Sequence, residues 1–275
     1  MSPSDAVSGA VPAGATAQPR TVAITGSASG IGAAVRTRLE ADGWQVIGVD
    51  LAGQEVSADL SNPSGRFDAI DGVTAAVDAA GGSLDAVVAC AGLGPQVPDR
   101  QPVVSVNYFG AMVVLDGLVH RLAAGRSPAV VAICSNSISV TPMNDPRLVE
   151  LMVAGDETAA LELAPELDGP GVYAMTKLAL GRALRARVQP WADLGVRVNL
   201  VAPGPVNTPL YQGTLDDPVL GPLVNLLPVP MGRPSEPAEI AGPIAFLLSP
   251  DAAMIHGSVL FVDGGSDALL RRDHV

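Results

Sequence analysis

The chain has 275 residues, is 48% hydrophobic but only 3% aromatic, and carries a formal net charge of −12. That length fits one large α/β domain, and the acidic balance argues against nucleic acid or an anionic membrane as a partner. No membrane-spanning helix is expected from the apolar runs, two cysteines do not make a disulfide framework, and His120, His256 and His274 lack metal-ligand spacing, so no metal site is expected.

Residues 1–19 are rich in Ala, Gly, Pro and Ser and read as a disordered tail without the charged start of a signal peptide. A cytoplasmic protein is the default expectation. Residues 21–25 are a short β-branched strand, followed by a glycine-rich turn and a helix over about 31–41. Residues 45–49 form a second strand ending at Asp50, and 84–89 and 129–133 two more, with an apolar helix over about 103–124 between them. A long helix is expected over 172–194, then a strand over 196–201 stopped by Pro203-Gly204-Pro205. A helix over 238–248 and a strand over 259–262 complete the pattern. Apolar strands alternating with helices predict a single-domain, Rossmann-type doubly wound parallel sheet with helices on both faces. A helical insert over about 143–170 breaks the rhythm, with Glu150, Asp156, Glu157 and Glu162 on its polar side. It reads as an acidic surface segment, a cover over the site or a modified subunit contact.

Three features carry chemistry. The turn Thr25-Gly26-Ser27-Ala28-Ser29-Gly30-Ile31-Gly32 joins strand to helix, where close backbone approach and free N–H groups favour a phosphate. Asp50 at the second strand end suits two ribose hydroxyls and repels a 2′-phosphate, which points to NAD rather than NADP. Lys177 is the only lysine among 16 basic residues, and it follows Tyr173 by four positions. On a helix this pair shares a face, and a compact ammonium beside a phenol is expected to lower the phenol's pKa.

With Asp59-Leu60, Cys90-Ala91-Gly92, Asn107, Ser135, Tyr173-x3-Lys177 and Pro203-Gly204 in order, the chain resembles the short-chain dehydrogenases/reductases from Thr21 to about Gly265. Within that family it is most similar to the bacterial 3α-hydroxysteroid dehydrogenase/carbonyl reductases, through Cys90 to Gln96, Val104 to Gly110, Pro230 to Arg233 and Val262 to Gly265. The resemblance implies that Gly26, Ser29, Gly30, Ile31 and Gly32 hold the phosphates and that Asp50 and Leu51 flank the adenosine. It further implies Asp59 on the adenine amino group, Leu60 on its ring, and Cys90, Ala91 and Gly92 along the adenosine side. Pro203, Gly204, Val206 and Thr208 would grip the nicotinamide. Tyr173 would be the acid/base, its pKa lowered toward neutrality by Lys177 and the oxidised nicotinamide, and Lys177 would also hold the ribose. Ser135 would bind the substrate oxygen, with Ser137 and Ser139 as competitors, and Asn107 would hold a water beside Lys177. Cys134 departs from the family's usual serine. A lid over about 208–232, with Leu220, Leu223, Leu226 and Leu227, suggests a hydrophobic alcohol or ketone, with a steroid as one candidate. Acyl-chain or terpenoid carbonyls, or a non-catalytic dinucleotide-binding regulator, are the alternatives. A homodimer or homotetramer is expected.

Overall fold

The computed structural model describes residues 18–143 and 145–273, so nearly all of the expected N-terminal tail lies outside the described residues. In chain order the elements are β1 (Thr21–Thr25), α1 (Gly30–Ala41), β2 (Gln45–Asp50), β3 (Val56–Ser57), α2 (Pro63–Ala79) and β4 (Ala86–Ala89). Next come α3 (Arg100–Val104), a π-helical stretch (Ser105–Gly110), α4 (Ala111–Ala123), β5 (Ala129–Ile133), α5 (Ser137–Val140), α6 (Arg147–Ala154) and α7 (Glu157–Leu163). The remainder is α8 (Gly169–Ala186), α9 (Val188–Asp193), β6 (Arg197–Pro203), α10 (Pro209–Leu215), α11 (Leu220–Val224), α12 (Pro237–Leu248), β7 (Val259–Val262) and α13 (Ser266–Leu270).

Seven parallel strands form one sheet in the order β3-β2-β1-β4-β5-β6-β7. The central strands β1, β4, β5 and β6 are buried on both faces, which is why they read as apolar runs. Val22, Ile24, Val88 and Val131 face α1 and α12, while Ala23, Val87, Val130 and Leu200 face α2, α4 and α8. The strand order reverses between β1 and β4, so their C-terminal ends diverge into a crevice where such sheets bind ligands. Thr25 pairs with Val49 and Ala89, and Pro203 with Val262, which aligns the ends of β1, β2, β4 and β6 along that edge.

Several boundaries differ from the sequence expectation. The α2 helix and the two-residue β3 are additional elements between Asp50 and Leu84. The apolar helix starts at Arg100, and its middle widens into the π turn that carries Asn107. The whole run Arg100–Ala123 is apolar enough, with mean hydropathy 1.5, to match a membrane span by length and composition, but 72% of that window is buried in the protein core. The expected 172–194 helix begins at Gly169, capped by the Asp168 carboxylate, and breaks after Ala186. Pro203 belongs to β6 as its last residue. A proline is tolerated there because no ladder N–H is needed at a strand terminus.

Residues 147–166 are helical. Leu148, Val149, Met152 and Ala160 are buried, whereas Glu150, Asp156 and Glu162 are exposed, as an amphipathic segment on the core requires. Its ion pair with the body is specific. Arg66 of α2 is fully buried, donates to the Leu60 carbonyl at 3.0 Å, and forks onto Glu157 at 2.6 and 2.7 Å. One guanidinium therefore ties α7 to the loop that carries Asp59 and Leu60.

Candidate active site

A cavity of about 720 Å³ runs along the C-terminal edge of the sheet. It is lined by every residue that the sequence assigned to cofactor or catalysis except Asn107. Asn107 lies one layer behind Gly92, where a Cβ would stand 3.2 Å from its Oδ1 and 3.5 Å from Lys177 Nζ.

At the β1 end the backbone makes a cradle. Gly26 and Gly30 have φ of +69° and +53°, a region that favours glycine. A Cβ on Gly32 would lie 2.1 Å from the Gly26 carbonyl oxygen. Ser29, at the N-cap of α1, sets no side-chain oxygen over the first turn, so the N–H groups of this cavity-lining turn have no side-chain cap. The Asp50 carboxylate is braced at 2.9 Å by Ala28 N–H and at 2.8 Å by Leu51 N–H. Leu51 is 69% exposed beside it, an apolar surface suited to one face of a flat base. Arg36 reaches the underside of this corner near Gly48, but its charge is spent on Glu55, at 2.6 and 2.8 Å, and on Glu40. That pairing holds the Glu55 carboxyl down at about 2. Asp59, exposed on the same side, accepts from Ser61 N–H, and its pKa is lowered by that contact. These residues fit an adenine dinucleotide with a free ribose: a diphosphate cradle, an acidic strand end, and no uncommitted cation from Arg36 for a further phosphate.

At the centre, α8 carries Tyr173 and Lys177 toward β5. Lys177 is 4% exposed and its Nζ donates to the Ile133 carbonyl at 3.0 Å. Its Nζ is 5.9 Å from the Tyr173 ring centroid. The expected lowering of the phenol pKa is not built into the protein. Desolvation pushes Tyr173 up to about 12, the Ser135 hydroxyl contact pulls it down, and the Cys134 thiol pushes it up. Desolvation likewise lowers the Lys177 pKa, and the neighbouring thiols oppose that. Lys177 Nζ is directed at the strand carbonyl, and desolvation sets the direction of the phenol shift.

Ser135 Oγ accepts from Ser137 N–H at 3.1 Å. Ser137 also lines the cavity, and its buried Oγ has no partner there. Ser139 instead donates to the Asn136 carbonyl at 2.9 Å, which removes it from contention. Cys134 is a buried free thiol pushed up to about 11 by desolvation. Asn107 uses its side chain to accept from Leu93 N–H at 2.7 Å and to donate to the Leu93 carbonyl at 3.0 Å, with Thr176 Oγ1 at 3.3 Å.

Beyond Tyr173 the walls become apolar. Leu210, Tyr211, Leu220, Leu223 and Leu227 face the cavity; Leu226, expected there, is 78% exposed and lies outside the lining. Pro95 and Pro142 from loops, Val140 at the end of α5 and Pro170 in the first turn of α8 also line it, positions that carry no periodic signal in the sequence. No residue of α6 or α7 lines the cavity. Among the described residues no cluster of His, Cys, Asp or Glu could hold a metal ion.

The family model described as short chain dehydrogenase matches residues 20–144, and one described as enoyl-(acyl carrier protein) reductase matches 151–267. A 3-alpha-hydroxysteroid dehydrogenase/carbonyl reductase of Comamonas testosteroni is 44% identical over 91% of this chain and 97% of its own length. The crystal structure of a 3-alpha-hydroxysteroid dehydrogenase from Pseudomonas sp. B-0831 complexed with NADH superposes with a TM-score of 0.88. It is 46% identical, covering 93% of this chain and 100% of that one. A cis-4-hydroxycyclohexanecarboxylate dehydrogenase of Sinomonas cyclohexanicum is 30% identical over 91% of this chain and 97% of its own. Identity of this degree, sustained from the first strand to the last, makes the chain a member of the short-chain dehydrogenase/reductase family.

Proposed function

We propose that the protein uses NAD to interconvert a hydrophobic secondary alcohol and its ketone, with a 3α-hydroxysteroid and the 3-oxosteroid as the substrate class. The observation that carries this reading is the position of Tyr173 and Ser135 in one cavity, between a dinucleotide cradle and an apolar chamber. The hydroxysteroid relatives support the choice of substrate.

In this reading the first turn of α1 with Gly26, Gly30, Ile31 and Gly32 holds the diphosphate, and Asp50 accepts from the adenosine ribose. Asp59 holds the adenine amino group, Leu51 and Leu60 contact the ring, and Cys90, Ala91 and Gly92 form the adenosine wall. Pro203 and Gly204 shape the loop whose Val206 and Thr208 hold the carboxamide. When bound, the dinucleotide accepts hydride from the alcohol carbon, or returns it to the ketone, and its oxidised ring places a positive charge near the phenol. Tyr173 takes the hydroxyl proton in oxidation and returns it in reduction. Ser135 donates to the substrate oxygen and stabilises charge that develops there. Lys177 has two protons left after the Ile133 contact, and these hold the nicotinamide ribose and a water beside Asn107. The protein works in the cytoplasm as a homodimer or homotetramer; exposed Phe246 on α12 and Leu260 on edge strand β7 supply apolar surface for the subunit contact.

Gly32→Ala forces a methyl into the Gly26 carbonyl. Overpacking of this kind costs about 1–3 kcal/mol, and NAD affinity measured by calorimetry should fall about tenfold or more. Unchanged affinity would show that the cradle does not hold the diphosphate. The substrate reading is tested by initial rates on hydroxysteroids, simple hydrophobic alcohols and polar sugars, with NAD and NADP in parallel. Hydrophobic alcohols with NAD should lead; activity confined to sugars, or to NADP, would sink the reading.

A further inference from the structure

We propose that Gln96 is a positioning residue for the apolar chamber, the middle link of a hydrogen-bond chain that joins the Tyr173–Lys177 helix to α10. The proposal rests on the reading that this chamber takes the hydrophobic substrate.

The chain starts beside the reacting groups. Thr176 precedes Lys177 on α8, and its Oγ1 donates to the Tyr173 carbonyl at 2.7 Å. Asn107 Nδ2 reaches the same hydroxyl at 3.3 Å and the Leu93 carbonyl at 3.0 Å, while Asn107 Oδ1 accepts from Leu93 N–H at 2.7 Å. Both backbone groups of Leu93 are thus held by one buried amide, which fixes the loop after β4. Four residues later that loop turns back, with Val97 N–H on the Gly94 carbonyl at 3.3 Å. The Gln96 side chain folds over Gly94, where a Cβ would stand 2.2 Å from Gln96 Oε1.

The far end is α10. Thr214 Oγ1 donates to Gln96 Oε1 at 2.9 Å, and Gln96 Nε2 donates to the Leu210 carbonyl at 3.4 Å. In this orientation the amide bonds both groups, whereas turning it over would set Oε1 against the Leu210 carbonyl oxygen, which Thr214 Oγ1 also reaches at 3.1 Å. Gly213 also faces the amide, a Cβ there falling 2.9 Å from Nε2. Leu210, Tyr211 and Thr214 line the cavity, whereas Gln96 does not. Gln96 therefore acts on substrate through α10, by holding the helix that supplies part of the chamber wall. Nothing else in the 90–98 loop hydrogen-bonds to α10 among the described residues.

The test uses Gln96→Met and Thr214→Val, which keep shape and remove polarity, alone and together, with Thr214→Ser as the conservative control. Hydrogen exchange, which needs no substrate, should show faster exchange of α10 amides in Gln96→Met with α8 and α1 unchanged. Each single substitution should raise KM for the hydrophobic alcohol about tenfold while lowering kcat less than about threefold. The double variant should be little worse than either single, since both break one link, and Thr214→Ser should restore most of the affinity. Unchanged α10 exchange, exchange that rises throughout the molecule, or additive effects in the double variant would overturn the proposal. Faster α10 exchange in a protein whose wild type turns over no hydrophobic alcohol would leave the link standing and refute the functional reading instead.

Discussion

Lys177→Arg preserves the positive charge and should still lower kcat about 100-fold or more, the scale of losing a well-placed proton-transfer arrangement. The reason is space and donor geometry. Lys177 is buried, one of its protons goes to the Ile133 carbonyl at 3.0 Å, and its Nζ would stand 3.5 Å from a Cβ on Gly92. A planar guanidinium is larger than an ammonium and presents a rigid fork in place of three rotatable donors. It cannot keep the Ile133 contact and also turn two protons toward a ribose and a water. Steady-state kinetics with parallel NAD binding would check this: kcat should collapse and NAD affinity should weaken. Near-normal turnover would remove the case for a dedicated lysine.

Tyr173→Phe removes a single oxygen and should cost about 1,000-fold or more in kcat, with NAD affinity within about twofold of wild type. The ring stays, so the packing of α8 against the cavity wall is kept. The phenol is held up at about 12 by desolvation, with Ser135 as the nearby group that opposes the rise. In the proposed reaction the base in oxidation is the phenolate, whose fraction grows as pH rises toward the pKa. Alcohol oxidation should therefore accelerate with rising pH and ketone reduction should slow, and both dependences should vanish in Tyr173→Phe. A retained pH profile in the variant would assign the proton to another group.

The doubly wound sheet was legible because its strands are buried on both faces, so Thr21–Thr25, Ala86–Ala89 and Ala129–Ile133 stand out as apolar runs. The fold and the family are supported by the relatives as well as by the topology. The α2 helix was not legible, since Pro63–Ala79 mixes glycine, alanine and aspartate with little contrast between its faces. Its one clear signal is Asn62-Pro63, an N-cap whose side chain accepts from Gly65 N–H at 2.9 Å. The π turn at Asn107 also left no trace in the hydrophobic period, because one widened turn shifts the period within a run already apolar on most sides.

Site residues in the glycine turn and at strand ends could be placed together from order alone, since a parallel sheet aligns its C-terminal ends. The sign of the Tyr173 shift could not. Sequence spacing shows that a cation is near, but the desolvation that raises the phenol belongs to the assembled cavity. Gln96 carries no legible role in the sequence, as its partners Leu210 and Thr214 lie more than a hundred positions away.

In the proposed reaction hydride passes directly from substrate carbon to NAD while Tyr173 handles the proton. The measurement closest to it is oxidation of a 3α-hydroxysteroid deuterated at the carbinol carbon, with NAD, in ordinary water. The deuterium should appear on the reduced nicotinamide, and Tyr173→Phe should abolish its appearance. Deuterium released to solvent, or transfer that survives Tyr173→Phe at the wild-type rate, would contradict it.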